Sequence, residues 1–288
     1  MIRLTDDIAS FLESKGFACS RQMCEGADVI YARNPDWNHS RVILPLEISA
    51  DSMEEACMAR EKALCRIGFI SVREGYPLII SEDRWHSQKK MMQARLLAHL
   101  EVYSQAYARN CEVRRIEKAE AQAFLQSCHS YGYAACRYHY GLFLKRSTGH
   151  LSGSGAVPGT LIAVATFSNA RKWVKDGMEI RSYEWTRFAS LPGMRISGGM
   201  GKMLKAFISE VHPDDIMSYA DLEWSEGEVY RQLGFSLEES KGPVTFAVDT
   251  RTWTRFPIRQ EMTDPMTGNR FFQNFGSNKY RLKLTDYK

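Results

Sequence analysis

The chain has 288 residues, of which 44% are hydrophobic and 25% are charged, so it is long enough for two globular domains with cores of their own. Its net charge of +4 at neutral pH is too small to indicate nucleic-acid binding by itself. Residues 251–288 hold eight Lys and Arg against three acids, a net charge of +5, so the rest of the chain carries about −1 and the positive charge is concentrated at the C-terminal end.

The cysteines favour a reducing environment. There are seven of them, at Cys19, Cys24, Cys57, Cys65, Cys111, Cys128 and Cys136. An odd number without close pairing predicts free thiols and a cytoplasmic location, and no Cys/His spacing fits a structural zinc site. Residues 1–17 have the pattern of an amphipathic helix rather than a signal peptide. No apolar run approaches the roughly 18 residues of a membrane span, so a membrane partner is not expected.

Residues 1–105 have the pattern of a small α/β domain. Apolar periodicity predicts a helix over 5–15, strands over 28–33 and 41–48, and a helix over 52–67 that ends at Gly68. Short strands are predicted over 69–73 and 77–80. A long amphipathic helix over 87–106 then connects to the second half of the chain.

A new pattern begins at Cys111. It predicts strand 112–116, helix 117–128, a hairpin of strands 140–144 and 160–167, strand 180–189, helix 199–210, strand 215–221, helix 226–232 and strand 244–249. The connection over 146–159 is rich in Ser, Gly and Thr and is typical of a mobile loop. The second domain is therefore predicted to cover residues 111–288.

A glycine-rich turn stands between a predicted strand and a predicted helix. It consists of Arg195, Ile196, Ser197, Gly198, Gly199, Met200, Gly201 and Lys202. Glycines let the backbone approach a phosphate group closely, and the free N–H groups of a helix start favour an anion. The spacing is neither that of a Walker loop nor that of a dinucleotide-binding turn. The alternative is a tight turn without a ligand.

The segment Tyr230-Arg-Gln-Leu-Gly-Phe235 ends the short helix that follows the next strand. Together with the glycine turn and the order of elements over residues 112–250, it resembles the GNAT superfamily of N-acetyltransferases. The resemblance implies an α/β (α+β) fold in which helices flank a mixed, splayed sheet. It also implies that acetyl-CoA or another acyl-CoA binds between the fourth and fifth strands of that sheet.

The resemblance assigns roles to the glycine turn. The family pattern Q/R-x-x-G-x-G/A places its two glycines at Gly199 and Gly201 and its side-chain contact at Ile196, with Arg195 one position early. This departure leaves the backbone contacts to phosphate in place and removes the usual polar side chain. Residues 195–202 are therefore the expected cofactor-binding residues.

The catalytic residues implied by the resemblance are Tyr230, as the acid for the departing thiolate, and Glu184, as the base. The alternative for Tyr230 is a packing role, and the alternative for Glu184 is an ion pair with Arg181 or Arg187. His129 and Asp221 complete the predicted catalytic set. Arg187, Tyr219 and Ser225 are the expected substrate-side residues, and Ser225 could instead cap a helix.

A looser similarity connects this chain to GNAT-like proteins of bacteriophages and mobile elements, including the Mom-type proteins that modify adenine in DNA. The resembling segments are residues 129–132, 140–143, 163–168, 184–188 and 218–221. This similarity implies a nucleobase amine as the acceptor and leaves the donor open.

The C-terminal segment interleaves aromatic residues with basic ones. They are Trp253, Phe256, Phe271, Phe272, Phe275 and Tyr280 among Arg251, Arg255, Arg259, Arg270, Lys279, Arg281 and Lys283. Such a composition suits DNA or RNA, because cations neutralise phosphates and aromatic rings stack on bases. A non-catalytic nucleic-acid-binding protein on a degenerate GNAT fold is therefore an alternative function. The other structural alternative is that the rings close a core while the charges are solvated.

The N-terminal domain resembles the fold of very-short-patch-repair endonucleases, with Asp28 and Glu47 on adjacent strands at positions where those enzymes hold Mg²⁺. Ser49 stands where the resemblance expects lysine, and Asp28 is not preceded by proline. The sequence therefore favours an inactive, binding or structural domain over a nuclease.

Overall fold

The computed structural model describes residues 2–36, 39–146, 155–175, 177–258 and 269–287. The chain forms two compact units. Unit 1 contains Met1–Leu100, Leu222–Trp224 and Gly242–Gly276, and unit 2 contains Glu101–Asp221, Ser225–Lys241 and Ser277–Lys288. The first boundary lies near the predicted one, but residues 242–276, which we expected within the second domain, are grouped with unit 1.

The first part of the chain forms α1 (Leu4–Glu13), β1 (Ala18–Cys24), β2 (Ala27–Arg33), β3 (Arg41–Leu46), α2 (Met53–Glu74), β4 (Leu78–Ser81), α3 (Glu82–Ser87), α4 (Lys89–His99), β5 (Ser104–Tyr107), β6 (Cys111–Arg115), α5 (Lys118–Cys128), β7 (Tyr138–Leu144) and β8 (Leu161–Phe167). It continues with β9 (Arg171–Lys175), β10 (Met178–Ser190), β11 (Met194–Ser197), α6 (Gly199–Val211), β12 (Asp215–Asp221), α7 (Glu228–Gln232), β13 (Ser236–Lys241), β14 (Thr245–Asp249), β15 (Thr254–Pro257), β16 (Asn269–Gln273) and β17 (Ser277–Lys283). None of the described helices is long and apolar enough to cross a membrane.

Unit 2 is built on a mixed sheet with strand order β13-β17-β12-β10-β8-β7-β6, to which β9 adds as a partner of β10. Every pairing along this order is antiparallel except that of β10 with β12, which is parallel. The predicted mixed sheet is therefore confirmed. Its core includes Phe167 and Trp185 of the sheet and Phe207 of α6, and the Phe167 and Phe207 rings stack with their centroids 3.9 Å apart.

The helix α2 is longer than predicted. Gly68, the expected end, has an ordinary helical backbone, and the helix continues to Glu74 before Gly75 at φ +80° ends it. The buried positions Ala63, Ile67 and Ile70 keep the helical spacing across Gly68, so tertiary burial outweighs the glycine's intrinsic preference. The predicted strand over 69–73 is therefore wrong.

The predicted helix over 87–106 is also wrong in its extent. Two short helices, α3 and α4, cover residues 82–99, and residues 104–107 form β5, which pairs in parallel with β11. The predicted hairpin of β7 and β8 is confirmed as an antiparallel pair. Part of its connection, residues 147–154, lies outside the described residues.

Unit 1 contains a four-stranded sheet of order β1-β2-β3-β4 and a three-stranded sheet of order β15-β14-β16. Phe272 and Phe275 are buried in its hydrophobic core beside Val248. Arg270 forms an ion pair with Asp51, and Arg255 is buried among acids. The core-closing alternative is therefore confirmed for these rings, whereas Arg255 and Arg270 are ion-paired rather than solvated.

Arg255 lies at the centre of a buried charged cluster in unit 1. Its Nη1 is 2.7 Å from Glu223 Oε2, and its guanidinium also contacts Asp83 and Ser81. Arg84 Nη2 approaches the same Glu223 oxygen at 3.2 Å. Burial opposes ionisation of Glu223, but the charges of Arg84 and Arg255 outweigh it and lower the pKa of Glu223 to about 2.

Arg255→Met should destabilise unit 1 by about 3–5 kcal/mol, because it leaves the Asp83 and Glu223 carboxylates buried without their main cation. Arg251→Met is the matched control, since Arg251 is 88% exposed, and it should change stability by less than about 0.5 kcal/mol. Urea unfolding measures both.

The lowered pKa of Glu223 makes the stability of unit 1 depend on pH. The ionised Glu223 contributes fully to stability at a pH above the ordinary carboxyl pKa of the unfolded chain, and this contribution is lost as the pH falls toward 2. The stability difference between wild type and Arg255→Met should therefore shrink on acidification from pH 6 to pH 3. An unchanged difference would contradict the ionised pair.

Candidate functional site

The site lies where β10 and β12 separate. These parallel strands pair only over Ser182–Glu184 and Asp215–Met217, although β10 continues to Ser190 and β12 to Asp221. A register shift between Trp185 and Arg187 in the pairing of β10 with β8 marks the same point. Backbone groups beyond the last pair are thus available to a ligand or to side chains between the two strands.

The glycine turn forms the start of α6, as predicted. Gly198 is the N-cap with φ +74°, a left-handed conformation that favours glycine, and no side chain caps the helix. The first N–H groups of an α-helix have no acceptor within the helix, and the helix dipole is positive there. This turn can therefore hold an anionic group by its backbone.

Ile196 packs beneath the turn. A Cβ atom placed on Gly199 would lie 2.9 Å from Ile196 Cγ2, and Ile196 contacts the hydrophobic core. The expected cofactor contact at this position is thus replaced by a packing contact, which explains an apolar residue there. Met200 also packs against the core, so its contribution to a ligand is limited to its backbone.

The polar side chains of the turn are engaged elsewhere. Lys202, one of the expected cofactor-binding residues, donates from Nζ to the carbonyl oxygens of Ala108 at 2.8 Å and Cys111 at 2.5 Å. Arg195 Nη1 donates to Tyr103 Oη at 2.9 Å. Ser197 Oγ accepts from the side-chain amide of Gln105 at 3.0 Å.

The two sequence motifs meet in space. A Cβ atom placed on Gly201 would lie 3.2 Å from Leu233 Cδ2, so glycine permits the close approach of the first turn of α6 to the segment after α7. Tyr230, on α7, reaches the point where β10 and β12 separate. Ser218 Oγ lies 2.9 Å from both Tyr230 Oη and the carbonyl oxygen of Trp185.

Tyr230 is surrounded by aromatic rings. It stacks on Tyr280 with centroids 5.4 Å apart and makes edge contacts with Trp185 and Phe235. Burial raises the pKa of Tyr230, and the hydrogen bond with Ser218 opposes that rise. Tyr230 therefore packs among aromatic rings and also lies where β10 and β12 separate, so its two predicted roles are compatible.

Glu184 is half-buried on β10 at the last paired position before the opening. Its expected ion-pair partners are occupied: Arg181 contacts Asp214 and the His212 carbonyl, and Arg187 donates to two carbonyls. Among the described residues, no hydrogen bond or ion pair engages the Glu184 carboxylate. It can accept a proton or bind a cation.

The loop after α5 lies beside the end of β12. Tyr131 Oη donates to Asp221 Oδ2 at 2.8 Å, and the Arg187 guanidinium lies 5.9 Å from the centre of the Tyr131 ring. Arg187 Nε also donates to the carbonyl of Gly132 at 3.2 Å. The structure thus brings Arg187 and Asp221 together around Tyr131, which our sequence interpretation did not select.

His129 ends α5 and shapes the same loop. Its Nδ1 accepts from the backbone N–H of Tyr131 at 3.1 Å, so a neutral His129 ring carries its proton on Nε2. The sequence signal that could have found Tyr131 is its place between His129 and Gly132, within the segment 129–132 that the looser similarity already included.

Tyr219 and Ser225 have local roles. The Lys241 ammonium lies 5.8 Å from the centre of the Tyr219 ring. Ser225 Oγ accepts from the N–H of Gly227 at 3.2 Å, and the helix begins at Glu228, so Ser225 stabilises the turn before α7 rather than capping it. No group of three or more potential metal ligands occurs in the described part of the chain.

The sequence matches no known protein family and no curated protein. The structure is similar to several solved acetyltransferases. Spermidine/spermine N-acetyltransferase SpeG from Vibrio cholerae has 12% identity and a TM-score of 0.37, covering 61% of this chain and 94% of its own. The putative acetyltransferase YncA from Salmonella typhimurium, solved with acetyl-CoA, has 12% identity and a TM-score of 0.36, covering 62% and 96%. Eis1 from Mycobacterium abscessus has 18% identity and a TM-score of 0.34, covering 49% and 34%.

Gly198→Ala should destabilise unit 2 by about 1 kcal/mol, because alanine disfavours the left-handed backbone at this N-cap. Its Cβ would lie 3.5 Å from Ala108 Cβ, an ordinary contact, so the cost is one of backbone conformation. Gly68→Ala within α2 is the matched control and should stabilise by up to about 1 kcal/mol. Thermal unfolding should give shifts of opposite sign.

Proposed function

We propose that unit 2 transfers an acyl group from acyl-CoA to an amine. The observation that carries this proposal is the separation of β10 from β12, bounded by the start of α6 and by Tyr230. The α6 turn would hold the diphosphate of the donor through backbone N–H groups, since its side chains are engaged elsewhere. The opening between the strands would then receive the acyl thioester.

The chemistry requires three proton transfers. The acceptor ammonium first loses one proton to Glu184, which passes it to solvent; the neutral nitrogen then forms a bond to the acyl carbon and loses a second proton, which Glu184 is again placed to accept. The carbon–sulfur bond breaks, its electron pair remains on sulfur, and Tyr230 is placed to give that sulfur a proton. A final proton exchange through solvent restores the carboxylate and the phenol.

The acceptor is proposed to be an amine that is protonated in solution. Glu184 and Asp221 are carboxylates near the opening, Tyr131 adds an aromatic ring, and Arg187 is held by carbonyl oxygens. Carboxylates and rings favour an ammonium ion, whereas a neutral nucleobase amine gains little from them. A polyamine or a lysine side chain therefore fits these residues better.

Nucleic-acid recognition remains the second candidate, through a Mom-like modification with another donor or through binding alone. The cations of the C-terminal segment are the feature that favours nucleic-acid binding. Several of these are ion-paired, namely Arg255 with Asp83 and Glu223, Arg270 with Asp51, and Arg281 with Asp215. Arg259 lies outside the described residues. The described cations thus offer little free charge for phosphates.

Unit 1 is proposed to have a structural or binding role rather than nuclease activity. Asp28 lies on β2 and Glu47 directly follows β3, as the nuclease resemblance implies. However, Arg3 Nη2 is 2.5 Å from Asp28 Oδ2, and its Nε is 3.9 Å from Glu47 Oε1. An arginine cation therefore sits with the two carboxylates that would otherwise share a metal ion.

Calorimetry of the intact protein tests the donor. Acetyl-CoA should bind. S-acetylpantetheine should bind at least about 100-fold more weakly, because it lacks the diphosphate and so offers no anion to the backbone N–H groups of the α6 turn. Equal affinity for both would contradict the placement of the phosphates. No binding of acetyl-CoA, propionyl-CoA or succinyl-CoA would overturn acyl transfer from CoA.

Turnover tests the catalytic residues. With acetyl-CoA and a panel of spermidine, a lysine peptide and DNA, Tyr230→Phe and Glu184→Gln should each lower kcat by about 100-fold with little change in KM for acetyl-CoA. Glu179→Gln is the control on the same strand, because Glu179 is paired with Lys172, and it should have wild-type kcat. Acetylation of DNA alone would contradict the proposed acceptor.

A further inference from the structure

Ser218 is buried at the point where β10 and β12 separate, one residue beyond their last pair. Its hydroxyl oxygen has two polar neighbours at the same distance of 2.9 Å: the carbonyl oxygen of Trp185 and the phenolic oxygen of Tyr230. The first neighbour can only accept a hydrogen bond, whereas the second can accept or donate. A serine hydroxyl has one hydrogen and can serve only one of them at a time.

Two arrangements follow from this geometry. In the first, Ser218 donates to the Trp185 carbonyl and Tyr230 donates its own hydrogen to Ser218, so the phenolic proton is held inside the sheet. In the second, Ser218 donates to Tyr230, and the phenolic hydrogen is released toward the opening. The change requires only rotation of the Ser218 hydroxyl hydrogen, because both oxygen–oxygen distances are already those of hydrogen bonds.

We propose that Ser218 is a positioning residue that turns its hydroxyl from the Trp185 carbonyl to Tyr230 as Tyr230 gives up its proton. The inference rests on the proposed acyl transfer, in which Tyr230 protonates the departing sulfur. The sulfur gains the phenolic proton, Tyr230 retains the electron pair as a phenolate, and Ser218 then donates to that oxygen. Solvent returns a proton to Tyr230 after the thiol leaves.

The relative strengths of the two hydrogen bonds that Ser218 can donate support this sequence of events. With neutral Tyr230, the first arrangement satisfies both hydroxyls and the Trp185 carbonyl. Once the phenolate forms, it cannot donate, and a hydrogen bond to an anion is about twice as strong as a neutral one. The hydroxyl of Ser218 therefore gains more by turning to Tyr230 than it loses at Trp185.

Among the residues that the structure describes, no other neighbour of Tyr230 supplies this donor. Of its ring neighbours, Trp185 directs its indole N–H to the Arg187 carbonyl at 3.1 Å, and the Tyr280 hydroxyl donates to the Glu226 carbonyl at 2.7 Å. The Arg231 guanidinium lies 5.8 Å from the centre of the Tyr280 ring and forms an ion pair with Glu228. Within the described part of the chain, Ser218 is the hydrogen-bond partner through which the fold can stabilise an ionised Tyr230.

A spectroscopic titration tests the contact without enzyme activity. The full chain is labelled with 3-fluorotyrosine, which titrates at a lower pH than tyrosine, and Tyr230→Phe assigns its signal among the 13 tyrosines in ¹⁹F NMR spectra. Ser218→Ala should raise the pKa of residue 230 by about 1, because the donor to the phenolate is lost. Ser218→Thr should restore the wild-type pKa, since it keeps the hydroxyl.

The matched control is Thr166→Val. Thr166 is fully buried on β8 in the same sheet, and its hydroxyl has no hydrogen-bond partner among the described residues. Its removal changes the core without touching Tyr230, so the pKa of residue 230 should be unchanged. An equal pKa in wild type and Ser218→Ala, with both folded by their NMR spectra, would overturn the inference.

The pH dependence of turnover provides the functional readout. Ser218→Ala should lower kcat by about tenfold and move the alkaline limb of its pH profile upward, with little change in KM for acetyl-CoA, and Ser218→Thr should restore both. Loss of activity without a moved limb would mean a merely structural role and would overturn the inference. Absence of acetyl-CoA binding and turnover in wild type would instead overturn the proposed function. The titration does not depend on activity, so it would still test the contact between Ser218 and Tyr230.

Discussion

The parallel pairing of β10 with β12 stops after three residues, and the candidate site exists because of that early stop. On the other side of β12, the pairing with β17 runs from Asp215 to Asp221 without interruption. β12 therefore stays with its outer neighbour and leaves β10. The gap is held open by side-chain contacts, because a Ser218 hydroxyl replaces the backbone hydrogen bond that a continuing ladder would have made to Trp185.

The same contacts explain why the two sequence motifs belong together. Gly201 lets the first turn of α6 approach Leu233, and Leu233 lies in the segment that carries Tyr230. A larger residue at 201 would push the helix start and the Tyr230 segment apart. The glycines therefore serve both the backbone of the turn and the spacing between a prospective anion site and a prospective acid.

From buried apolar runs and the turn residues between them, the sequence predicted β6, β7, β8, β10 and β12 of the unit 2 sheet. It did not predict β9, β13 or β17, and β13 is exposed along its whole length. It could not predict where the polar side chains point: Lys202 turns to backbone carbonyls of a distant segment, and Tyr131 reaches Asp221 across 90 positions. Both contacts depend on tertiary neighbours that have no local signature in the chain.

Two interpretations of segments in unit 1 met the same difficulty. Gly68 looks like a helix end, but buried Ile67 and Ile70 continue the helix through it. The C-terminal aromatic residues look like a nucleic-acid surface, but Phe272 and Phe275 are buried in the core of unit 1. In each case, burial against a segment far away in the sequence determined the outcome, and local composition could not reveal it.

Neither unit is a continuous stretch of chain. Unit 1 takes Leu222–Trp224 from between β12 and α7 and Gly242–Gly276 from between β13 and β17, both of which interrupt unit 2. A fragment that ends near residue 105 would lack Glu223 and Arg255, and would expose the surfaces that Phe272 and Phe275 cover. Neither unit can therefore be produced as one uninterrupted segment of this chain.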